Sequence, residues 1–187
     1  MSNGDQESYT TQGGIKIRVD VAAIEPEAAI EDLIDRLDSA RGVLLSSSYE
    51  YPGRYTRWDM GFVDPPLAVR SNDEEVKFEA LNARGEVLLS PVRLAVEELE
   101  FASIIEDGDG RIVCRIERGT ERFEEEERSR QPSSFAVIRT IVDLFLGSDE
   151  HLGLYGAFGY DLAFQFEPIE LKLVRPGDQR DMVLYVP

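Results

Sequence analysis

The chain holds a single cysteine, Cys114, and a single histidine, His151, in 187 residues. One thiol cannot build an internal disulfide, and its solitude agrees with a reducing, cytoplasmic setting. The same scarcity removes the clustered nitrogen and sulfur donors that a zinc site needs. No apolar run approaches the roughly 18 residues of a membrane-spanning helix, and no basic n-region followed by an apolar stretch opens the chain. There is no P-loop, no G-x-S-x-G elbow and no H-E-x-x-H pair, so the common catalytic signatures are missing. Positive charge is also short: 20 basic residues face 37 acidic ones, a net charge of −17. Such a field repels phosphate backbones and anionic lipid surfaces, which argues against nucleic-acid and membrane partners.

What is present is the composition of one folded domain, 42% hydrophobic and 30% charged. A chain of this length buries roughly 70% of its unfolded surface and requires no staple. Residues 1–14 are polar and glycine-flanked, the pattern of a flexible N-terminus ahead of a domain over residues 15–187. Ile15, Ile17, Val19 and Val21 alternate with Lys16, Arg18 and Asp20, which predicts a strand with one wet face. Pro26 opens a helix whose apolar stripe is Ala29, Ile30, Leu33, Ile34 and Leu37, with Gly42 at its C-terminal stop. Residues 42–48 read as a deeply buried strand ending in hydroxyls. The tandem Pro65-Pro66 bars a central strand at that point.

Val76, Phe78 and Ala80 alternate with charged neighbours, giving a further strand. Asn82 to Gly85 reads as a turn into a strand over residues 86–90, with a short helix over 92–99. Asp107-Gly-Asp-Gly110 between two apolar runs signals a hairpin. Residues 121–130 are a charge run, the mark of a solvated segment. Ser133 or Ser134 caps a helix with the stripe Phe135, Ile138, Ile141, Val142 and Phe145, ended by Gly147. Strands are expected over residues 153–166 and 181–186, the last apolar enough to present an exposed surface to a partner. Several strands and few helices, without regular alternation, argue an α+β fold with largely antiparallel sheets.

Candidate functional residues are few. His151, alone in a connection, reads as a surface residue. Cys114, on an alternating strand, reads as a small core hydrophobe. Asp107 and Asp109 open like a calcium loop, but the later carboxylates are misplaced, so a turn is the better reading. Gly153, Gly156 and Gly159 lack dinucleotide-binding spacing and suit close backbone approach instead. The hydroxyls of Ser46, Ser47 and Ser48 can serve a turn or face a polar ligand.

Three separated blocks carry a resemblance. Leu44-Leu-Ser-Ser-Ser-Tyr-Glu-Tyr-Pro-Gly-Arg-Tyr-Thr-Arg-Trp-Asp59, Gly153-Leu-Tyr-Gly-Ala-Phe-Gly-Tyr-Asp-Leu-Ala-Phe-Gln-Phe-Glu167 and Asp178-Gln-Arg-Asp-Met-Val-Leu-Tyr-Val-Pro187 resemble, in order, the N-terminal domain of anthranilate synthase component I. The likeness is greatest to the bacterial form fused to a glutamine amidotransferase. It implies the N-terminal part of the chorismate-utilising enzyme fold, with the catalytic chorismate-binding domain absent from this chain. The family's enzyme makes anthranilate and pyruvate from chorismate and glutamine-derived ammonia, using Mg2+; no catalytic, cofactor or metal residue transfers here, so the chain alone is expected to be inactive. The family's tryptophan-feedback motif, commonly Leu-Leu-Glu-Ser, corresponds to Leu44-Leu45-Ser46-Ser47. This makes Leu45, Ser46 and Ser47 the expected contacts for an L-tryptophan effector, with Ser46 standing where the family has glutamate. The expected partners are the chorismate-binding domain and a glutamine amidotransferase domain or subunit. The same domain of an aminodeoxychorismate or phenazine-type synthase, or a freestanding binding module, remains an alternative.

Overall fold

The computed structural model describes residues 5–47, 58–117, 131–166, 172 and 174–187. The charge run at 121–130, and most of the aromatic stretch after Ser47, lie outside the described residues. The fold is α+β and its strand pairings are antiparallel. Its centre is a six-stranded sheet. In chain order the strands are β5 (Leu67–Asn72), β6 (Glu75–Ala80), β7 (Ala102–Gly108), β8 (Arg111–Ile116), β9 (Tyr155–Phe158) and β10 (Met182–Val186). In space they run β7-β8-β6-β5-β10-β9.

Period-two patterning explains which face is covered. Leu67 and Val69, Val76 and Phe78, Ile112 and Cys114, and Met182, Leu184 and Val186 all fall on one side and are buried. Two helices lie over them, α2 (Ala83–Glu97) and α3 (Ser134–Phe145), adding Val92, Val96, Val137, Ile138, Ile141 and Phe145 to the same core. The opposite face carries the ion pairs Arg70–Glu79 and Arg115–Glu75. The β7–β8 hairpin turns at Asp109 and Gly110, with φ of 51° and 72°. Two successive positive φ angles are the left-handed pair that a two-residue hairpin needs, and glycine takes one without strain.

Several expectations change in the structure. The turn, strand and short helix expected across residues 82–99 are one helix. Asn82 caps it, its side-chain oxygen accepting from Arg84 and Gly85 amides at 3.0 and 3.2 Å. Pro91 lies inside, where proline ordinarily costs about 3 kcal/mol. Burial of the Leu88, Val92, Val96 and Leu99 stripe on the sheet offsets that cost. In α3 the N-cap is Ser133, and Val142 turns out of the core at 41% exposure while Val137 and Leu144 turn in. Ile138, Ile141 and Phe145 of the expected stripe are buried as read. Of residues 153–166 only β9 is a strand; a 3-10 helix, Tyr160–Gln165, follows it. The last strand is no exposed surface. β10 lies between β5 and β9, and Met182, Leu184 and Val186 are buried there.

Two smaller sheets flank this body. β1 (Asp5–Thr10) pairs with β2 (Lys16–Val21), so the opening segment expected as a flexible end contains a strand. Its order comes from partners that a sequence pattern cannot display. The Gln12 and Gly13 amides donate to the Leu146 and Leu144 carbonyls at the end of α3, at 2.7 and 3.1 Å. β3 (Gly42–Ser46) pairs with β4 (Asp59–Val63), and α1 (Pro26–Leu37) lies across them. β3 was expected to be deeply buried, yet none of its residues is.

Candidate functional site

The site predicted from sequence sits on β3, and β-strand geometry divides it. Ser46 is the ladder partner of Asp59, and Leu44 that of Gly61, so these four share one face of the hairpin. α1 covers that face. A Cβ added to Gly61 would come within 2.4 Å of Leu33, which shows how closely the helix approaches. Leu45 and Ser47 alternate to the other face, where Leu45 pairs with Met60. The three predicted residues are therefore neighbours in sequence but do not converge on one side of the strand.

Their hydrogen bonds differ too. The Ser46 hydroxyl donates to Asp59 Oδ1 across the ladder. The Ser47 amide donates to the Trp58 carbonyl at 2.9 Å, so Ser47 can offer a ligand its hydroxyl but not its N–H. Ser48 lies outside the described residues. Asp59 was inside the sequence block that carried the resemblance, but its pairing with Ser46 depends on a hairpin register that the sequence does not display.

Beside this hairpin runs an open cleft of about 1520 Å³. Its walls include Ile24, Ala29, Leu33 and Arg36 of the α1 region, the strand β4, and His151. Phe62 of β4 meets Tyr155 of β9 edge-on, ring centroids 5.8 Å apart, and the Tyr155 hydroxyl donates to the His151 carbonyl at 2.6 Å. Burial first, and then Asp149, hold the Tyr155 phenol above its ordinary pKa, so it remains a neutral donor. The expected surface histidine is indeed exposed, and it lines the cleft. Sequence reasoning missed that role because nothing local to residue 151 points to β4.

The remaining candidates take structural places. Cys114 is buried in the sheet core, and desolvation pushes its thiol up to about 11, which makes it a poor nucleophile. Asp107 pairs with Arg93, and Asp109 forms the hairpin turn. A Cβ on Gly156 would fall 2.1 Å from the Val183 carbonyl oxygen, the close backbone approach expected of it. Gly153 meets no such contact. Among the described residues, no three histidine, cysteine, aspartate or glutamate side chains are placed to hold a metal ion, so no Mg2+ step is assigned to them. Nor, among them, is any helix long and apolar enough to cross a membrane.

No family model matches the chain. Anthranilate synthase of Azospirillum brasilense is 46% identical to it over 180 residues, which is 96% of this chain and 24% of the relative. The chain belongs to the anthranilate synthase family. Anthranilate synthase component 1 of Vibrio cholerae serotype O1 is 27% identical over 157 residues, 76% of this chain and 27% of that protein. The chain spans about a quarter of the length of these relatives.

Proposed function

We propose that this chain is the N-terminal domain of a longer anthranilate synthase and supplies part of its tryptophan-feedback site. The observation that carries the reading is identity of 46% along 96% of the chain to a relative four times as long. In this reading chorismate and Mg2+ are handled by the remainder of the protein, and a glutamine amidotransferase domain or subunit delivers ammonia. The chain's own contribution is regulatory and structural.

In this reading the expected effector contacts have unequal roles. Ser46 spends its hydroxyl proton on Asp59, while Ser47 has its amide in the ladder and its hydroxyl on the face shared with Leu45. Tryptophan brings an ammonium, a carboxylate and an indole. The Ser47 hydroxyl accepts from the first or donates to the second, and Leu45 packs against the ring. A hydrogen bond to a charged partner contributes about 1.5–3 kcal/mol, or roughly 10- to 150-fold in affinity. An effector held between this domain and the remainder favours one arrangement of the two. Its leverage on catalysis is limited by its differential affinity for those arrangements.

The test is tryptophan inhibition of anthranilate formation by the full-length protein carrying Ser47→Ala. The inhibition constant is expected to rise at least about 10-fold with little change in melting temperature. An unchanged inhibition constant with lowered stability would make Ser47 a turn residue only.

A further inference from the structure

Among the described residues, β4 has a strand partner on one side only. The Ser47 amide donates to Trp58, and the Asp64 amide donates to the Arg41 carbonyl at 2.9 Å. These two bonds fix the phase of the ladder: even-numbered residues of β4 turn their backbone groups toward β3. The N–H and C=O of Gly61 and Val63 therefore turn the other way, and among the described residues no strand pairs with them. Both residues line the cleft, together with Ile24, Ala28, Leu33 and His151. An unpaired strand edge beside an open apolar cleft is a template for one more strand.

The apolar groups around this edge are under-buried. Ile24 is 70% exposed, Trp58 52% and Ile34 48%. α1 is amphipathic by its sequence, yet it has no buried residue.

We propose that the outer edge of β4 receives an extended segment from the remainder of the longer polypeptide, which pairs with Gly61 and Val63 and covers the apolar wall of α1. The inference rests on the reading of this chain as part of a longer synthase. Two observations choose this occupant over a second copy of the chain. The relatives are about four times the matched length, so a covalently supplied strand is available. A net charge of −17 on each copy opposes edge-to-edge pairing of two such domains. The incoming strand alternates, its apolar side chains on Leu33 and Ala28, and it carries basic residues where the rim presents Glu25 and Asp32.

Hydrogen exchange of the full-length protein, resolved to single amides, tests this. Gly61 and Val63 should be protected to within about 10-fold of Met60 and Phe62, whose amides face β3. Rapid exchange at Gly61 and Val63 beside slow Met60 and Phe62 overturns the proposal. Protection that appears only in a concentration-dependent dimer also overturns it, since the edge would then belong to a second copy. Val63→Pro removes an outward N–H and leaves the β3 ladder intact, which an unpaired edge tolerates. It should lower the full-length melting temperature by about 4 °C or more relative to Val63→Ala, and equality of the two variants counts against the added strand. The underlying reading fails separately, by absence of anthranilate formation from chorismate in the wild-type protein.

Discussion

The six-stranded sheet with α2 and α3, and the β3–β4 hairpin with α1, use the same amphipathic patterning and end in opposite states. In the first, Phe78, Val92, Ile141 and Leu184 are buried from both sides of the sheet–helix interface. In the second, Leu33 and Leu44 touch their neighbours but neither is buried, and Ile34 points to solvent. Patterning states which face of an element is apolar. It does not state whether the same chain supplies the cover.

The largest expected effect on that contrast is in stability. Phe78→Ala should cost about 3–5 kcal/mol by urea denaturation, the usual loss for a fully buried aromatic ring. Leu33→Ala should cost about 1 kcal/mol in the same chain, because its side chain leaves water only in part. Similar costs for both would erase the distinction between a closed unit and an open one.

Thiol chemistry sharpens the closed side. Desolvation raises the Cys114 pKa to about 11, against about 8.5 for a free cysteine. At pH 8 the thiolate fraction in the folded chain is then reduced by roughly 100-fold or more. Ellman's reagent should label the native protein at least that much more slowly than the urea-unfolded one. The sign follows from the raised value: the folded state disfavours the thiolate, so its stability declines as pH rises past the unfolded thiol's pKa. Fast native labelling would mean that the core opens readily.

The smallest effect lies where the two regions meet. Burial would raise the Glu79 pKa, but the Arg70 hydrogen bond and charge, with Lys77 and Arg41, outweigh it and leave the carboxyl below its ordinary value. Arg41 belongs to the entry of β3, so Glu79 senses both units. A depressed carboxylate stabilises the fold above the unfolded pKa of about 4.3, and that contribution is lost as pH falls through the folded value. Glu79→Gln should flatten the acid limb of the stability curve, modestly because the pair is partly solvated. Identical acid limbs in variant and wild type would show that the pair contributes nothing.

Much of the fold was legible in the sequence. Alternation at Val76, Phe78 and Ala80, the Asp-Gly-Asp-Gly turn and the serine cap before α3 each rest on local rules that tertiary context did not override. The segment from Asn82 to Leu99 was misread because Pro91 disfavours a helix interior and the short apolar run Val87-Leu88-Leu89 fits a strand as readily as a helix, while the sheet rewards a helical stripe. The order of β1 lies in bonds to Leu144 and Leu146, far along the chain. At the candidate site, Ser46 and Ser47 stood out as hydroxyls at a strand end, and only the resemblance gave them an expected effector role. Their separation onto two faces, and the Asp59 partner, required the register of β3 on β4.

The place of β10 gives the chain a timetable during synthesis. β5 and β9 meet only through it, with Leu67 opposite Val186 and Tyr155 opposite Tyr185. While residues 182–186 are still inside the ribosome, β5 lacks a neighbour on one side and β9 has none in the sheet. The growing chain must keep Val69 and Phe78 soluble until β10 emerges, and only then can the sheet close. Long-range closure of this kind folds slowly and prolongs the exposure of unpaired edges. The strong negative charge has a second use in that interval, because mutual repulsion keeps nascent chains apart while the sheet still lacks the strand between β5 and β9.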